Sequence, residues 1–140
     1  MTTTFNCMRR AAATVRLMIA VLALACAHVA SAQELVRTLA GTVQETGAVD
    51  GAALQARFND PAGLAVDAAG NVFLADNQNH TIRKIAPDGT VTTLAGQPGN
   101  PGSADGAGGA AQFDSPAGIA VDRDGVLYVT DSGNHTIRRV

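Results

Sequence analysis

Two short stretches of the sequence carry residue types that could perform chemistry. DNQNHTIRKI runs from Asp76 to Ile85, and DSGNHTIRRV runs from Asp131 to Val140. In each stretch an Asp stands three residues before an Asn-His pair, and an Arg follows. Carboxylate and imidazole groups this close could bind a metal ion or act as a general-base pair. They could equally be one architectural unit that the chain repeats.

The two stretches belong to a longer internal repeat. Residues 36–85 align with residues 91–140 without a gap, at a constant offset of 55, and 24 of the 50 pairs are identical. A match of this length indicates stacked supersecondary units. Architecture explains such repeated residues more simply than catalysis does, because one catalytic centre needs its residues only once. We therefore assign a structural role to the repeated polar residues Asp76, Asn79, His80, Arg83, Asp131, Asn134, His135 and Arg138.

Each repeated side chain has a specific expected task. Asp76 and Asn79 fall between two predicted strands, where Asx side chains bond to their own backbone and fix tight turns. His80 is expected to bridge to a neighbouring strand or repeat unit. Arg83 and Arg138 alternate with isoleucines, which favours salt-bridge partners at the edge of a unit over substrate clamps.

Two further carboxylates, Asp67 and Asp122, each end the first predicted strand of a unit. We interpret them as part of a hairpin turn closed by Gly70 or Gly125 and assign no metal site, although these two carboxylates would be the candidates if a cation were bound. DRDG, which begins at Asp122, matches part of a calcium loop but lacks the further ligands of that loop. No Ser-His-Asp, Cys-His or zinc-ligand spacing stands out, so we assign no catalytic residue.

The elements that must position these residues are predicted to be strands. GLAVD and GIAVD are short apolar runs, NVFLAD and VLYVTD are β-branched and aromatic, and TIRKI and TIRRV alternate apolar with basic residues. VTTLAG follows the turn APDGT and supplies a fourth antiparallel strand. LVRTLAG, Leu35 to Gly41, matches TVTTLAG and is predicted to be another strand of this fourth type. The glycine-containing segments between units are predicted surface connections, with one possible helical turn in AALQARF.

Four short strands in a unit of about 50 residues are typical of a β-propeller blade. The run F-x-x-P-A-G-[LI]-A-V-D, then D-x-x-N-H-T-I-R, then V-T-T-L-A-G closely resembles the NHL repeat, although Thr81 and Thr136 stand at the position of the family's Leu. The resemblance implies an all-β propeller, usually of six blades. This chain would hold two four-stranded blades' worth of strands, with repeat one at about 36–90 and repeat two at about 91–140, in an incomplete ring.

The segment from Met1 to Ala32 has the layout of a secretory signal peptide. Arginines precede the apolar run Leu17 to Ala27, and Ala30 to Ala32 offers small residues for cleavage. The apolar run is too short for a good membrane-spanning helix. Twin-arginine export and lipidation of Cys26 are open alternatives. We predict an exported chain, periplasmic or extracellular, whose mature part is residues 33–140 and has no membrane span.

The charge of the predicted mature chain limits its partners. It carries seven basic and twelve acidic residues, a net charge of −5, and no cysteine. Nucleic acid usually requires a basic surface, so we expect no nucleic-acid partner. Four aromatic residues and no Trp make a sugar- or base-stacking platform unexpected.

These observations favour an exported propeller that serves as a binding scaffold for a protein, peptide or small ligand, without a cofactor. The resemblance also allows part of a hydrolase or lyase with a metal, calcium or zinc, in the central channel, for which Asp67 and Asp122 would be candidate ligands. A third possibility is a fragment of a larger propeller. If the chain stands alone, we predict a homotrimer in which each N-terminal strand completes the neighbour's blade and closes six blades.

Overall fold

The computed structural model describes residues 35–140, so the predicted signal peptide and both cysteines lie outside the described residues. Residues from Arg37 to Val140 form one compact unit. Among the described residues, no helix is long and apolar enough to cross a membrane. The strands are β1 (Gly51–Ala52), β2 (Pro61–Val66), β3 (Val72–Asp76), β4 (Thr81–Ile85), β5 (Thr90–Gly96), β6 (Pro116–Val121), β7 (Leu127–Asp131) and β8 (Thr136–Arg139), with 3-10 turns at Ala53–Gln55, Asn77–Asn79 and Gly108–Ala110.

The strands form two antiparallel sheets. The first has the order β1-β5-β4-β3-β2 and contains a complete four-stranded blade, which we call the first blade. The second has the order β6-β7-β8 and contains the first three strands of the next unit, which we call the second blade. The predicted all-β architecture is confirmed, and the sheets do not close into a ring.

The main hydrophobic core lies between the two blades. Successive side chains of a strand alternate between faces, so β3 directs Phe73 and Ala75 to the same side of the first blade. Apolar residues of β6 and β7 pack on that side. The core consists of Phe73, Ala75, Ile82, Ala95, Ala111, Phe113, Leu127 and Val129, with Ile119 and Val121 packed against it.

A smaller core covers the other face of the first blade. Val72 and Ile85 of the blade, with Val91 of β5, pack there against Ala40 and Phe58, which precede the blade in the chain, and against Ala56. Phe58 occupies the same place in repeat one as Phe113 does in repeat two. Each phenylalanine therefore anchors the connection that leads into its blade.

The two blades approach closely at Gly63. A Cβ atom added at this position would clash with the carbonyl oxygen of Ala117. Any side chain would therefore push β2 and β6 apart. This contact between neighbouring blades explains Gly63, whereas at Gly118, the glycine of the second P-A-G motif, an added Cβ would meet the Thr130 side chain of the same blade.

The prediction of a strand at Leu35–Gly41 is wrong for this chain. No residue of that segment belongs to a strand, and Leu39 is 60% exposed. A fourth strand pairs with a third strand, and both edges of the third strand of the first blade, β4, are already paired, with β3 and β5, so the backbone groups of this segment find no partner strand there. AALQARF does form a single helical turn, at Ala53–Gln55.

Candidate functional site

The repeated polar residues form a buried network in the first blade. Asp76, at the end of β3, is fully buried and accepts hydrogen bonds through both carboxylate oxygens. Its Oδ1 accepts from the backbone N–H of Asn59 at 2.7 Å. Its Oδ2 accepts from Asn79 Nδ2 and from an Arg83 Nη, each at 2.7 Å. Asn79 Nδ2 also donates to the carbonyl of Gly47 at 2.7 Å, so the network ties the preceding connection to the blade.

Arg83 is the centre of this network and has 0% of its surface exposed. Besides the bond to Asp76, one Nη donates to the carbonyl of Arg57 at 3.0 Å. The other Nη donates to the carbonyl of Val49 at 2.9 Å and to Asp50 Oδ1 at 2.7 Å. The guanidinium lies 5.0 Å from the centre of the Phe58 ring, a favourable cation–π arrangement. A guanidinium enclosed in this way cannot reach a substrate.

The second blade repeats these contacts at the offset of 55. Asp131 accepts from Asp114 N–H at 2.7 Å, from Asn134 Nδ2 at 2.8 Å and from an Arg138 Nη at 3.1 Å. Asn134 also donates to the Gly102 carbonyl at 2.8 Å. The structure therefore brings the predicted Asp, Asn and Arg of each repeat together, separately in each blade.

Asp50 and Asp105 belong to the networks, although sequence reasoning gave them no role. Both carboxylates bind the arginine of their blade, Arg83 or Arg138. Asp50 also accepts from the backbone N–H of Thr93 in β5, at 2.9 Å. Burial tends to raise the pKa of Asp50, but the hydrogen bonds from Thr93 and the Arg83 guanidinium outweigh it and lower that pKa. Their identity at the offset of 55 was the signal that could have revealed them.

The two repeated histidines have different surroundings. His80 has a left-handed backbone with φ of 58°. Its Nδ1 accepts from the backbone N–H of Ser115 at 3.0 Å, which joins the first blade to the start of the second. Accepting this bond requires an unprotonated Nδ1. His135 has the same backbone conformation, with φ of 56°, but its side chain is exposed.

Asp67 and Asp122 each lie in the tight turn after the first strand of a blade. Asp67 accepts from the N–H groups of Ala69 and Asn71 and from Asn71 Nδ2, and that side-chain bond is the main cause of its lowered pKa. The Val126 N–H is the main cause of the lowered pKa of Asp122. Within residues 35–140 no group of three or more His, Cys, Asp or Glu side chains has the arrangement of a metal site. Any cation at these turns would compete with the bonds that close them.

A cavity of about 1050 Å³ lies beside the second blade. It is lined along the whole of β8 and by Gly106 and Ala107 of the connection that precedes the second blade. Ala95 and Phe113 contribute apolar surface, and Arg138 and Asp105 contribute charge. Sequence reasoning did not predict this cavity, because its walls come from segments that are distant from one another in the sequence.

Comparison with known families identifies the repeat. The family described as NHL repeat matches residues 113–140, and the family described as Teneurin NHL domain matches residues 37–105. The Arabidopsis thaliana protein SUPPRESSOR OF QUENCHING 1, chloroplastic is 37% identical over 92 residues, which cover 65% of this chain and 9% of that protein. NHL repeat-containing protein 2 of Bos taurus is 36% identical over 96 residues, which cover 66% of this chain and 13% of that protein.

Solved structures share the fold. A Bacteroides thetaiotaomicron protein of unknown function aligns with a TM-score of 0.68 and 30% identity, over 71% of this chain and 26% of that one. An auxiliary nutrient binding protein from the same species aligns with a TM-score of 0.64 and 28% identity, over 72% of this chain and 27% of that one. The chain therefore spans about a quarter of each of these structures.

Proposed function

The chain belongs to the NHL-repeat family, and we propose that it is an exported β-propeller scaffold that binds a protein, peptide or small ligand. It uses no cofactor and performs no chemistry on the ligand. Repeated elements build the frame, and the segments that differ between repeats provide the binding surface.

The observation that carries this proposal is how the repeated polar groups are used. Asp76, Asn79 and Arg83 bind one another and the backbone of the preceding connection. A catalytic constellation needs a nucleophile or base that points to a substrate. In the first blade these groups are enclosed by their own network, which favours a scaffold over an enzyme.

The variable segments supply a surface that could give specificity. Residues 97–112 are rich in glycine and are mostly exposed, and the corresponding residues 42–57 have a different sequence. Loops held on a rigid frame commonly carry binding function. One of the similar solved structures is described as an auxiliary nutrient binding protein, which agrees with a binding role.

Ligand screening by thermal stability tests the proposal. A bound ligand stabilises the folded state by mass action, so a true ligand should raise the Tm of the purified chain in a dose-dependent way. Peptides, oligosaccharides and nucleotides are suitable panels. Replacing Ser103, an exposed residue of the variable connection that lines the cavity, by Tyr should reduce the shift for a ligand bound there without changing the Tm of the free chain by more than a few degrees.

Elemental analysis distinguishes the binding scaffold from a metal-dependent enzyme. For the scaffold, protein purified without added metal should contain no stoichiometric calcium or zinc. A tightly held ion that is lost in the double variant Asp67→Asn, Asp122→Asn, together with turnover of a substrate, would refute the binding-scaffold proposal.

Export is tested separately, by locating the expressed protein in the cell. Expression of the full chain in a Gram-negative host, followed by fractionation and mass spectrometry, should yield a periplasmic product that begins at Gln33. A cytoplasmic product that retains the segment from Met1 to Ala32 would contradict export and leave the binding test unaffected.

A further inference from the structure

His80 joins the two blades by a hydrogen bond that depends on the charge of its imidazole. The imidazole Nδ1 accepts from the backbone N–H of Ser115 at 3.0 Å, and the His80 side chain is 16% exposed. His80 directly precedes β4 of the first blade, and Ser115 directly precedes β6 of the second blade. Both partners lie within residues 35–140, so the contact is complete in this chain.

The same nitrogen has a second neighbour of the opposite kind. Asp114 Oδ1 lies 3.5 Å from His80 Nδ1. An unprotonated Nδ1 and a carboxylate oxygen are both acceptors, so no hydrogen bond joins them while the imidazole is neutral. A protonated Nδ1 is a donor, which can bind Asp114 but can no longer accept from Ser115. The two hydrogen bonds of Nδ1 therefore exclude each other, and the charge of the imidazole selects between them.

Asp114 is the carboxylate that faces the imidazole. Within residues 35–140, no other acidic side chain forms an ion-pair contact with His80. A mostly buried imidazolium needs a counter-charge of this kind. The other charged side chains of the neighbouring elements have partners of opposite charge or are exposed; they are Asp76 with Arg83, Asp131 with Arg138, Lys84 with Asp67, and the exposed Asp60.

The Ser115 N–H lies at the end of the variable connection, residues 97–112. Ser115 has a left-handed backbone, with φ of 51°, which is uncommon for a residue with a side chain. Near the other end of the connection, the Gly99 N–H donates to the carbonyl of Asn79 at 3.3 Å. The turn that ends at His80 therefore holds the connection near both ends, and one of these two attachments depends on the charge of His80.

We propose that His80 is a pH-sensitive latch between the blades. The neutral imidazole holds the Ser115 N–H and fixes the end of the variable connection. The imidazolium binds Asp114 and releases Ser115, while the bond from Asn77 Nδ2 to the carbonyl of Pro116, at 3.0 Å, keeps the blades together in both states. Histidine is the side chain that ordinarily changes charge between about pH 5 and pH 8, so moderate acidification operates the latch. The latch belongs to the fold itself and needs no ligand.

An NMR titration of the purified chain between about pH 8 and pH 5 tests the latch. On acidification, the Ser115 amide signal should shift with the same midpoint as the His80 imidazole signal. The protection of the Ser115 amide against hydrogen exchange, corrected for the intrinsic rate at each pH, should fall about tenfold, as expected for the loss of one hydrogen bond. The Asn59 N–H, which binds Asp76, should keep its protection.

His135 supplies the matched control, because it has the same backbone conformation as His80 but an exposed side chain. His135→Asn should leave the transition of the Ser115 amide unchanged. A Ser115 signal that does not shift with His80, or that keeps its full protection at the acid end of the titration, would overturn the proposal.

Two variants separate the partners of the imidazole. His80→Gly tolerates the left-handed backbone but has no acceptor, so the Ser115 amide should be weakly protected at every pH and show no transition. In Asp114→Asn the imidazolium loses its counter-charge, so the release of Ser115 should require a lower pH. An unchanged transition in His80→Gly would refute the latch, and an unchanged transition in Asp114→Asn would refute Asp114 as the partner in acid.

Discussion

Arg83 is the residue at which a connecting segment is attached to a blade. Its guanidinium satisfies two carboxylates and two backbone carbonyls and lies over the Phe58 ring. Breaking a buried ion pair by removing one partner costs about 3–5 kcal/mol, because the remaining charge is left without compensation. If Arg83 were removed, the uncompensated charge would be the carboxylate of Asp76, whose side chain is fully buried.

We therefore expect Arg83→Leu to lower the free energy of unfolding by about 3–5 kcal/mol. Arg138→Leu is the matched variant in the second blade, where it likewise leaves the fully buried Asp131 without its partner, so we expect a loss of similar size. Urea unfolding of both variants measures the two losses, and an unchanged free energy of unfolding in Arg83→Leu would contradict this account of Arg83.

The two histidines allow a paired experiment. His80→Asn keeps a residue that tolerates the left-handed backbone but removes the acceptor for the Ser115 N–H. We expect a loss of about 1–3 kcal/mol of stability, because that N–H is left unsatisfied between the blades. His135→Asn should leave the stability of the chain nearly unchanged, because the His135 side chain is exposed. The urea midpoints of the two variants test this expectation. A larger loss of stability in His135→Asn than in His80→Asn would contradict the bridging role of His80.

The turn from Asp67 to Asn71 is an element whose stability depends on pH. The pKa of Asp67 lies below the ordinary value of 3.8, mainly because of the hydrogen bond from Asn71 Nδ2. A lowered folded-state pKa stabilises the fold above the unfolded value, and the stabilisation is lost as pH falls through the folded value. Asp67→Asn should therefore destabilise the chain at neutral pH and have little effect in strong acid, below both pKa values. Urea midpoints under the two conditions test this, and an equal effect at both would contradict it.

Strand elements were largely predictable from the sequence because their signals are local. GLAVD, NVFLAD and TIRKI show apolar alternation and turn residues, and they correspond to β2, β3 and β4. LVRTLAG has the same local signals but forms no strand. The reason is not local, since a strand needs a partner edge, and the sequence of a segment does not state whether one is available.

The candidate site was predictable only in part. Repetition indicated that Asp76, Asn79 and Arg83 act together, but not that Asp50 completes their network from the connection that precedes the blade. Asp50 also binds Thr93 in β5, which is 43 positions further along the chain. Long-range contacts of this kind follow from the fold, and the fold follows from many weak local preferences acting together.

At the scale of the whole molecule, the two blades share the main hydrophobic core. Phe73, Ala75 and Ile82 of the first blade pack there with Leu127 and Val129 of the second blade. Stacked repeats bury their faces against their neighbours, so the stability of each blade depends on the other.

We expect Gly63→Val to weaken the contact between the blades. A Cβ atom at Gly63 would clash with the backbone carbonyl of Ala117, so a side chain there would force β2 and β6 apart. Overpacking of this kind typically costs about 1–3 kcal/mol of stability. Urea unfolding measures the loss, and a single transition at a lower midpoint would show that the two blades unfold together. An unchanged midpoint would contradict the role of Gly63 at this contact.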